Sequence, residues 1–294
     1  MLRIAVIGRQ GQLARSLAEL ADDDVRVTCL GRPDLDLADP PTIAAALWKA
    51  PADLVVNAAA YTAVDRAESE PEHAFAINRD GAEAVAIACA QLGLPLIHVS
   101  TDYVFDGRKA DPYVEGDACN PQTVYGRSKL AGEQAVLASS GGRAAILRTA
   151  WLHSPFGSNF VRTMLRLANE RDRLRVVSDQ QGSPTYAPHL ARAILMMAQR
   201  MAMEPDNAAL FRIFHLAGTG HTSWWGLAQE VMTVAASLGH KSVPVDPITT
   251  ADYPTPAQRP ANSVLDCGHV QAVCGIRLPP WQEGVRACLQ HLLA

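Results

Sequence analysis

Between residues 3 and 149, short uninterrupted apolar runs alternate with amphipathic stretches, and this alternation restricts the fold more than any other property of the chain. The runs are Arg3–Ile7, Val25–Leu30, Asp53–Ala58, Leu94–Ser100 and Ala144–Thr149. Helical patterns lie between them, near 12–21, 41–49, 71–92 and 125–138. A strand that is apolar throughout needs cover on both faces, which an all-parallel sheet flanked by helices supplies. Right-handed crossovers then make the α/β chain a doubly wound parallel sheet. Composition agrees, since 48% of the 294 residues are apolar and only 19% are charged.

The second half is less regular. Helices are expected at 158–171, 188–202, 223–237 and 281–293, with short strands at Leu174–Ser178 and Arg212–Leu216 that should return to the main sheet. Prolines clustered in 243–260 predict a long loop with little regular structure. No linker composition marks the boundary near residue 150, so 151–294 should pack directly on 1–150 as a smaller C-terminal α/β part.

Several function classes are disfavoured. The net charge is −4 and no Lys/Arg run stands out, so an electrostatic footprint for nucleic acid is missing. The four arginines from Arg166 to Arg175 are interleaved with Glu170 and Asp172 and read as a solvated face. No apolar run reaches membrane-spanning length, and no secretory signal precedes the first strand. The six cysteines lack zinc or redox spacing and read as small thiols in a reducing compartment. A cytoplasmic, soluble protein is expected, as a monomer or homodimer.

Gly8, Gly11 and Ala14 follow the first strand and open the first helix. Glycine there lets backbone approach a diphosphate, and the helix start offers free N–H groups. This is the Rossmann-type arrangement for a dinucleotide, although the spacing is looser than Gly-x-Gly-x-x-Gly, and a merely tight turn is the other reading. At the end of the second strand an acid favours NAD and an arginine NADP. Gly31 and Arg32 stand there, with Asp34 and Asp36 following. Arg32 points to NADPH ahead of NADH, with an ordinary loop arginine as the alternative. Three alanines, Ala58 to Ala60, end the third strand and suit either a cofactor against backbone or tight packing.

Tyr125 and Lys129 are four residues apart and share one face of a helix. A cation beside a phenol favours phenolate and lowers its pKa towards the working range. The spacing alone is weak, because a packed ring beside a solvated amine reads identically.

With these segments in order, the chain resembles the extended short-chain dehydrogenase/reductases and, within them, the dTDP-4-dehydrorhamnose reductases. The resemblance runs along the whole chain. Its specific motifs are Asn57 to Asp65, Glu68 to Pro71, Ser100 to Gly107, Val124 to Glu133, Tyr253 to Pro256 and Arg259 to Ser263. It implies NAD(P)H-dependent reduction of the C4 ketone of a dTDP-linked 4-keto-6-deoxy sugar. Residues 1–150 would then bind the dinucleotide and 151–294 mainly the substrate. The resemblance makes Tyr125 the proton donor, Lys129 its electrostatic support and a ribose ligand, and Thr101 a hydrogen-bond donor to the carbonyl oxygen. It puts Gly11, Gln12 and Leu13 on the diphosphate and Asp36 and Leu37 along the adenosine. Ala60, Tyr61 and Thr62 would lie along the cofactor's middle. Asp102 would orient the sugar, or else cap a turn; Trp151 would pack on the sugar, or else lie in the core.

Two departures stand out. Some members are described as dimers joined by a metal on glutamates, one in the first helix, but Ser16 takes that position here, so no metal is expected. His98, His153 and His189 lack ligand spacing and read as structural. A regulatory subunit of methionine adenosyltransferase shares this fold and much of the pattern without catalysis. Thr101, Tyr125 and Lys129 together favour an enzyme over that reading. A sister epimerase or dehydratase is the other alternative, and no acid follows Asp102 as dehydration would need.

Overall fold

A computed structural model describes residues 1–293. Its centre is a six-stranded sheet: β1 (Leu2–Ile7), β2 (Val25–Leu30), β3 (Leu54–Asn57), β4 (Leu96–Thr101), β5 (Ala144–Thr149) and β6 (Ile213–His215). The order across the sheet is β6-β5-β4-β3-β1-β2, and every neighbouring pair is parallel. This is the doubly wound fold that the alternating runs predict. The order reverses between β1 and β3, and such folds bind ligands beyond the carboxyl ends of the strands at that switch.

Alternation along the strands divides the core into two layers. Ile4, Val6, Leu54, Val56, Ile97, Ala145, Leu147 and Phe214 face α1 (Gln12–Glu19) and the later helix Ala187–Met203. Ala5, Ile7, Val55, Leu96, Ala144 and Ile146 face the opposite side, against α2 (Pro40–Lys49) and α3 (Ala82–Leu92). The inner strands β1, β3, β4 and β5 therefore bury both of their faces, whereas the edge strand β2 leaves Arg26 exposed.

The 71–92 pattern forms Pro71–Phe75, a wide turn Ala76–Gly81 and then α3. The wide turn lies beside α4 (Val124–Ser139), where the Asn78 carbonyl sits so close to Gly132 that no Cβ would fit. Two expectations need correction. Leu174–Val177 does not enter the main sheet but pairs with Val245–Ile248 in a separate two-stranded sheet, because its hydrogen bonds run to the 245–248 backbone. The same pairing gives the proline-rich 243–260 region a strand, and Pro247 is accommodated because the strand has a partner on one side only. Ile213–His215, by contrast, extends the main sheet beside β5.

The third core layer joins α5 (Phe160–Glu170), α6 (Ala187–Met203) being on the sheet, to α7 (Trp224–Ser237) and α8 (Trp281–Leu293), through Val161, Leu227, Val231, Val285 and Leu289. No helix among the described residues is long and apolar enough to cross a membrane. All six cysteines are free thiols, and only Cys89 and Cys288 are fully buried.

Candidate active site

The site starts where β4 ends. Thr101 is the last residue of the strand, and its hydroxyl both accepts from Tyr103 N–H (3.3 Å) and donates to Asp102 Oδ1 (2.9 Å). Asp102 is 3% exposed, and its Oδ2 has no hydrogen-bond partner. Burial raises its carboxyl to about 6, opposed by the bond from Thr101 and by the nearby Ser263, whose hydroxyl donates to the Gln181 carbonyl (3.3 Å).

The next contribution is α4. Thr123 caps it by accepting from Gly126 N–H (3.0 Å), which fixes Tyr125 in the first turn. Gly126 is required, because the Tyr103 carbonyl occupies the space of a side chain. The Tyr125 ring packs edge-on against Tyr103, 5.5 Å between centroids. Tyr103 in turn accepts from Arg259 (3.3 Å), whose guanidinium also binds Asp65 (2.6 Å). The segment near Arg259 is thereby tied across the site.

One turn on, Lys129 is 2% exposed. Its Nζ donates to the Val99 carbonyl (2.7 Å) and lies 3.3 Å from His98 Nε2. This corrects the expected electrostatics of the pair. Lys129 turns its ammonium group to the β4 backbone, and burial lowers it to about 8, Glu133 opposing. The Tyr125 phenol is pushed above its ordinary range by burial, and Thr101 draws it only partly back.

Beyond β5, Trp151 has a φ of 45°, a conformation uncommon outside glycine. Its indole stacks on Trp224 with centroids 3.5 Å apart and planes 6° from parallel. On the other face Gly182 leaves no room for a Cβ. With both faces covered, Trp151 presents an edge to any ligand. The β4–β5 register sets Thr149 beside Thr101, so Trp151 leaves the sheet next to the strand end that carries Thr101 and Asp102.

The glycine loop lies across the switch point. Gly8 has a φ of 123° and donates to the Leu30 carbonyl (2.8 Å); a Cβ there would meet Ala14 and the Ala58–Ala59 backbone only at ordinary contact distance, so the backbone conformation is what calls for glycine. Gly11 caps α1 with no side-chain bond, and the first turn holds no acidic residue. A bare helix start without negative charge fits a diphosphate. Leu13 is buried in the core, so only its backbone could serve a ligand. Gln12 reaches the loop after β5, accepting from Ser154 (2.9 Å) and Asn159 (3.0 Å).

At the β2 end, Arg32 is exposed. Asp36 accepts from Ala38 N–H (3.0 Å) and so serves the turn into α2, and Leu37 is buried against α3. Ala60 and Thr62 flank Tyr61, whose hydroxyl donates to Glu70 (2.6 Å).

Sequence reasoning missed three residues. Arg9 bonds the Arg32 carbonyl (3.3 Å) and Asp34 (3.0 Å), so a second guanidinium stands at the β2 end; its place inside the glycine loop was the available signal. Asn78 accepts from Tyr61 N–H (2.8 Å), donates to the Tyr61 carbonyl (3.1 Å) and to Ser128 (2.9 Å), clamping the 60–62 loop to α4. No local pattern announces it. Asn57, at the end of β3, lies 3.1 Å from His98 Nδ1. Among the described residues, no group of three or more His, Cys, Asp or Glu is arranged to hold a metal.

Known proteins carry the same pattern. The family model described as RmlD substrate binding domain matches residues 2–294. A dTDP-4-dehydrorhamnose reductase of Sinorhizobium fredii is 50% identical over 292 residues, 99% of this chain and 98% of that one. A crystal structure of the Bacillus anthracis dTDP-4-dehydrorhamnose reductase in complex with NADP is 32% identical, with a TM-score of 0.91, covering 99% of this chain and 100% of that one. One of the same enzyme from Clostridium acetobutylicum is 34% identical, with a TM-score of 0.90 over both full chains. The likeness extends from the glycine loop to the last helix, and the chain belongs to the dTDP-4-dehydrorhamnose reductase family.

Proposed function

We propose that this reductase converts dTDP-4-dehydro-L-rhamnose to dTDP-L-rhamnose, with Tyr125 as the proton donor to the C4 oxygen. The observation that carries the reading is the juxtaposition of Thr101, Asp102, Tyr125 and Lys129 where β4 ends and α4 begins.

Each residue has a physical role. A phenol held protonated by burial is the donor form that ketone reduction needs. Thr101, beside it, would turn its hydroxyl proton from Asp102 to the same oxygen as negative charge develops there. Lys129, one turn behind, would support the phenolate left after proton transfer, and its ammonium group has donors beyond the one given to Val99 to offer the cofactor ribose. The unpartnered Oδ2 of buried Asp102 is an acceptor with nothing to accept from, and a sugar hydroxyl would satisfy it. The Trp151 edge, with its Nε1–H, borders the same space.

Reduced nicotinamide dinucleotide supplies the hydride when bound. Gly8, Gly11 and the backbone of Gln12 and Leu13 would hold its diphosphate, and Ala60 to Thr62 its middle. Arg9 and Arg32 favour a 2′-phosphate, and so NADPH over NADH, as does the NADP in the Bacillus anthracis relative. Asp36 and Leu37 offer the adenosine mainly backbone, because their side chains are engaged elsewhere.

The test is incubation of purified protein with dTDP-4-dehydro-L-rhamnose and each reduced cofactor, with the product identified by NMR. Formation of dTDP-L-rhamnose, faster with NADPH, is expected. A folded protein that consumes neither cofactor would sink the reading.

A further inference from the structure

Behind the catalytic helix a buried chain of hydrogen bonds runs from Lys129 through His98 to Asn57, and of these the proposed reaction uses only the lysine. Asn57 is 1% exposed and His98 1%. The orientation of Asn57 is set by its neighbour, because Ala59 N–H donates to its Oδ1 (3.3 Å). Its carboxamide NH2 therefore faces His98 Nδ1 at 3.1 Å. A nitrogen that accepts cannot carry the proton of a neutral imidazole, so that proton sits on Nε2. Nε2 is the atom 3.3 Å from Lys129 Nζ. An ammonium has three donors and no lone pair, so an Nε2–H facing it sets donor against donor. An amine accepts from Nε2–H and still donates to the Val99 carbonyl at 2.7 Å.

We propose that His98, held by Asn57 with its proton on Nε2, is a positioning residue that opposes the ammonium form of Lys129 and so sets the pH at which the site loses its cation. The other ionisable groups around Lys129 are accounted for. Tyr125 precedes it on α4 and stays neutral. Glu133 follows it on α4 and favours the ammonium, but its carboxylate is bound by Arg148 of β5 (2.7 and 3.0 Å) and by Ser100 of β4. His98, from β4, is the neighbour that disfavours the cation. Holding Lys129 as an ammonium with a good bond to His98 requires the other tautomer. Asn57 must then turn its carboxamide and give up the bond from Ala59. The bond from Ala59 thus holds Asn57, and with it the Nε2 tautomer of His98, against that rearrangement.

The inference rests on the reductase reading only for its consequence in turnover, since the tautomer and the lysine are read on the protein alone. In protein labelled with 15N-histidine, the His98 ring should show its proton on Nε2 throughout the pH range in which the fold is intact. With 13C-lysine, and Lys129→Arg for assignment, the Lys129 midpoint should rise in His98→Gln by about one pH unit, tenfold in proton affinity, because glutamine can turn its carbonyl to the ammonium. Asn57→Asp should move it the same way by drawing the His98 proton to Nδ1. A wild-type proton on Nδ1 overturns the proposal, and that measurement needs no variant to fold. So does an unchanged Lys129 midpoint in a folded His98→Gln. Failure here leaves the reductase reading standing, and absence of turnover would leave these spectra unaffected.

Discussion

Gly182→Ala tests whether the stacked indole of Trp151 is part of the site. A Cβ at 182 would fall 2.5 Å from Cζ2 and Nε1 of Trp151, and closer still to Cε2. Carbon atoms pack at ~3.5–4 Å, so the ring has to move by about 1 Å. It cannot retreat, because Trp224 lies 3.5 Å away on the other face and Phe160 packs on Trp224 at 4.7 Å. Overpacking of this kind costs about 1–3 kcal/mol, and the displaced indole edge should raise the KM for the nucleotide sugar about tenfold with a smaller change in kcat. Urea denaturation followed by circular dichroism measures the first, steady-state kinetics the second. The loss of parallel indole coupling should also alter the ultraviolet dichroism of the native protein. A variant as stable as wild type with an unchanged KM would refute both the packing argument and the place of Trp151 in the site.

Other perturbations have defined outcomes. Glu133→Gln leaves Arg148 as an unpaired charge, since both side chains are at most 3% exposed, and should cost about 3–5 kcal/mol in urea denaturation. Asp102→Asn should stabilise the protein above pH 6. The native carboxyl is raised from 3.8 to about 6, so wild-type stability is fullest below pH 4 and falls as pH rises through 6. The gain is at most about 2–3 kcal/mol, shrinking on acidification, and it should come with slower turnover. Arg9→Ser with Arg32→Ser should weaken NADPH binding by about tenfold or more while leaving NADH nearly unchanged, as measured by fluorescence titration.

Much of the fold was legible because the central strands are apolar on both faces, and that property is local. Arg3–Ile7 and Ala144–Thr149 announce themselves without knowledge of any partner. Strand pairing is not local. Leu174–Val177 has the look of a sheet strand whichever sheet it joins, and its partner Val245–Ile248 was hidden by Pro247. The same limit governs the site. Helical spacing says that Tyr125 and Lys129 share a face, but not that Lys129 Nζ reaches back to the Val99 carbonyl, or that burial raises the phenol with only Thr101 opposing. Thr101 and Asp102 were found through the resemblance of Ser100 to Gly107 to known reductases, not through their spacing. Asn78 and Arg9 act through contacts 17 to 50 residues and 23 to 25 residues away, which no short pattern records.

The central claim is that a protonated Tyr125 completes the reduction. Turnover of dTDP-4-dehydro-L-rhamnose with NADPH, followed by cofactor absorbance for wild type and Tyr125→Phe under saturating substrate, tests it most directly. Loss of the proton donor should lower kcat by about 10²–10⁴-fold, with NADPH affinity within a factor of about three and the fold intact. A Tyr125→Phe protein that turns over at the wild-type rate would contradict the account.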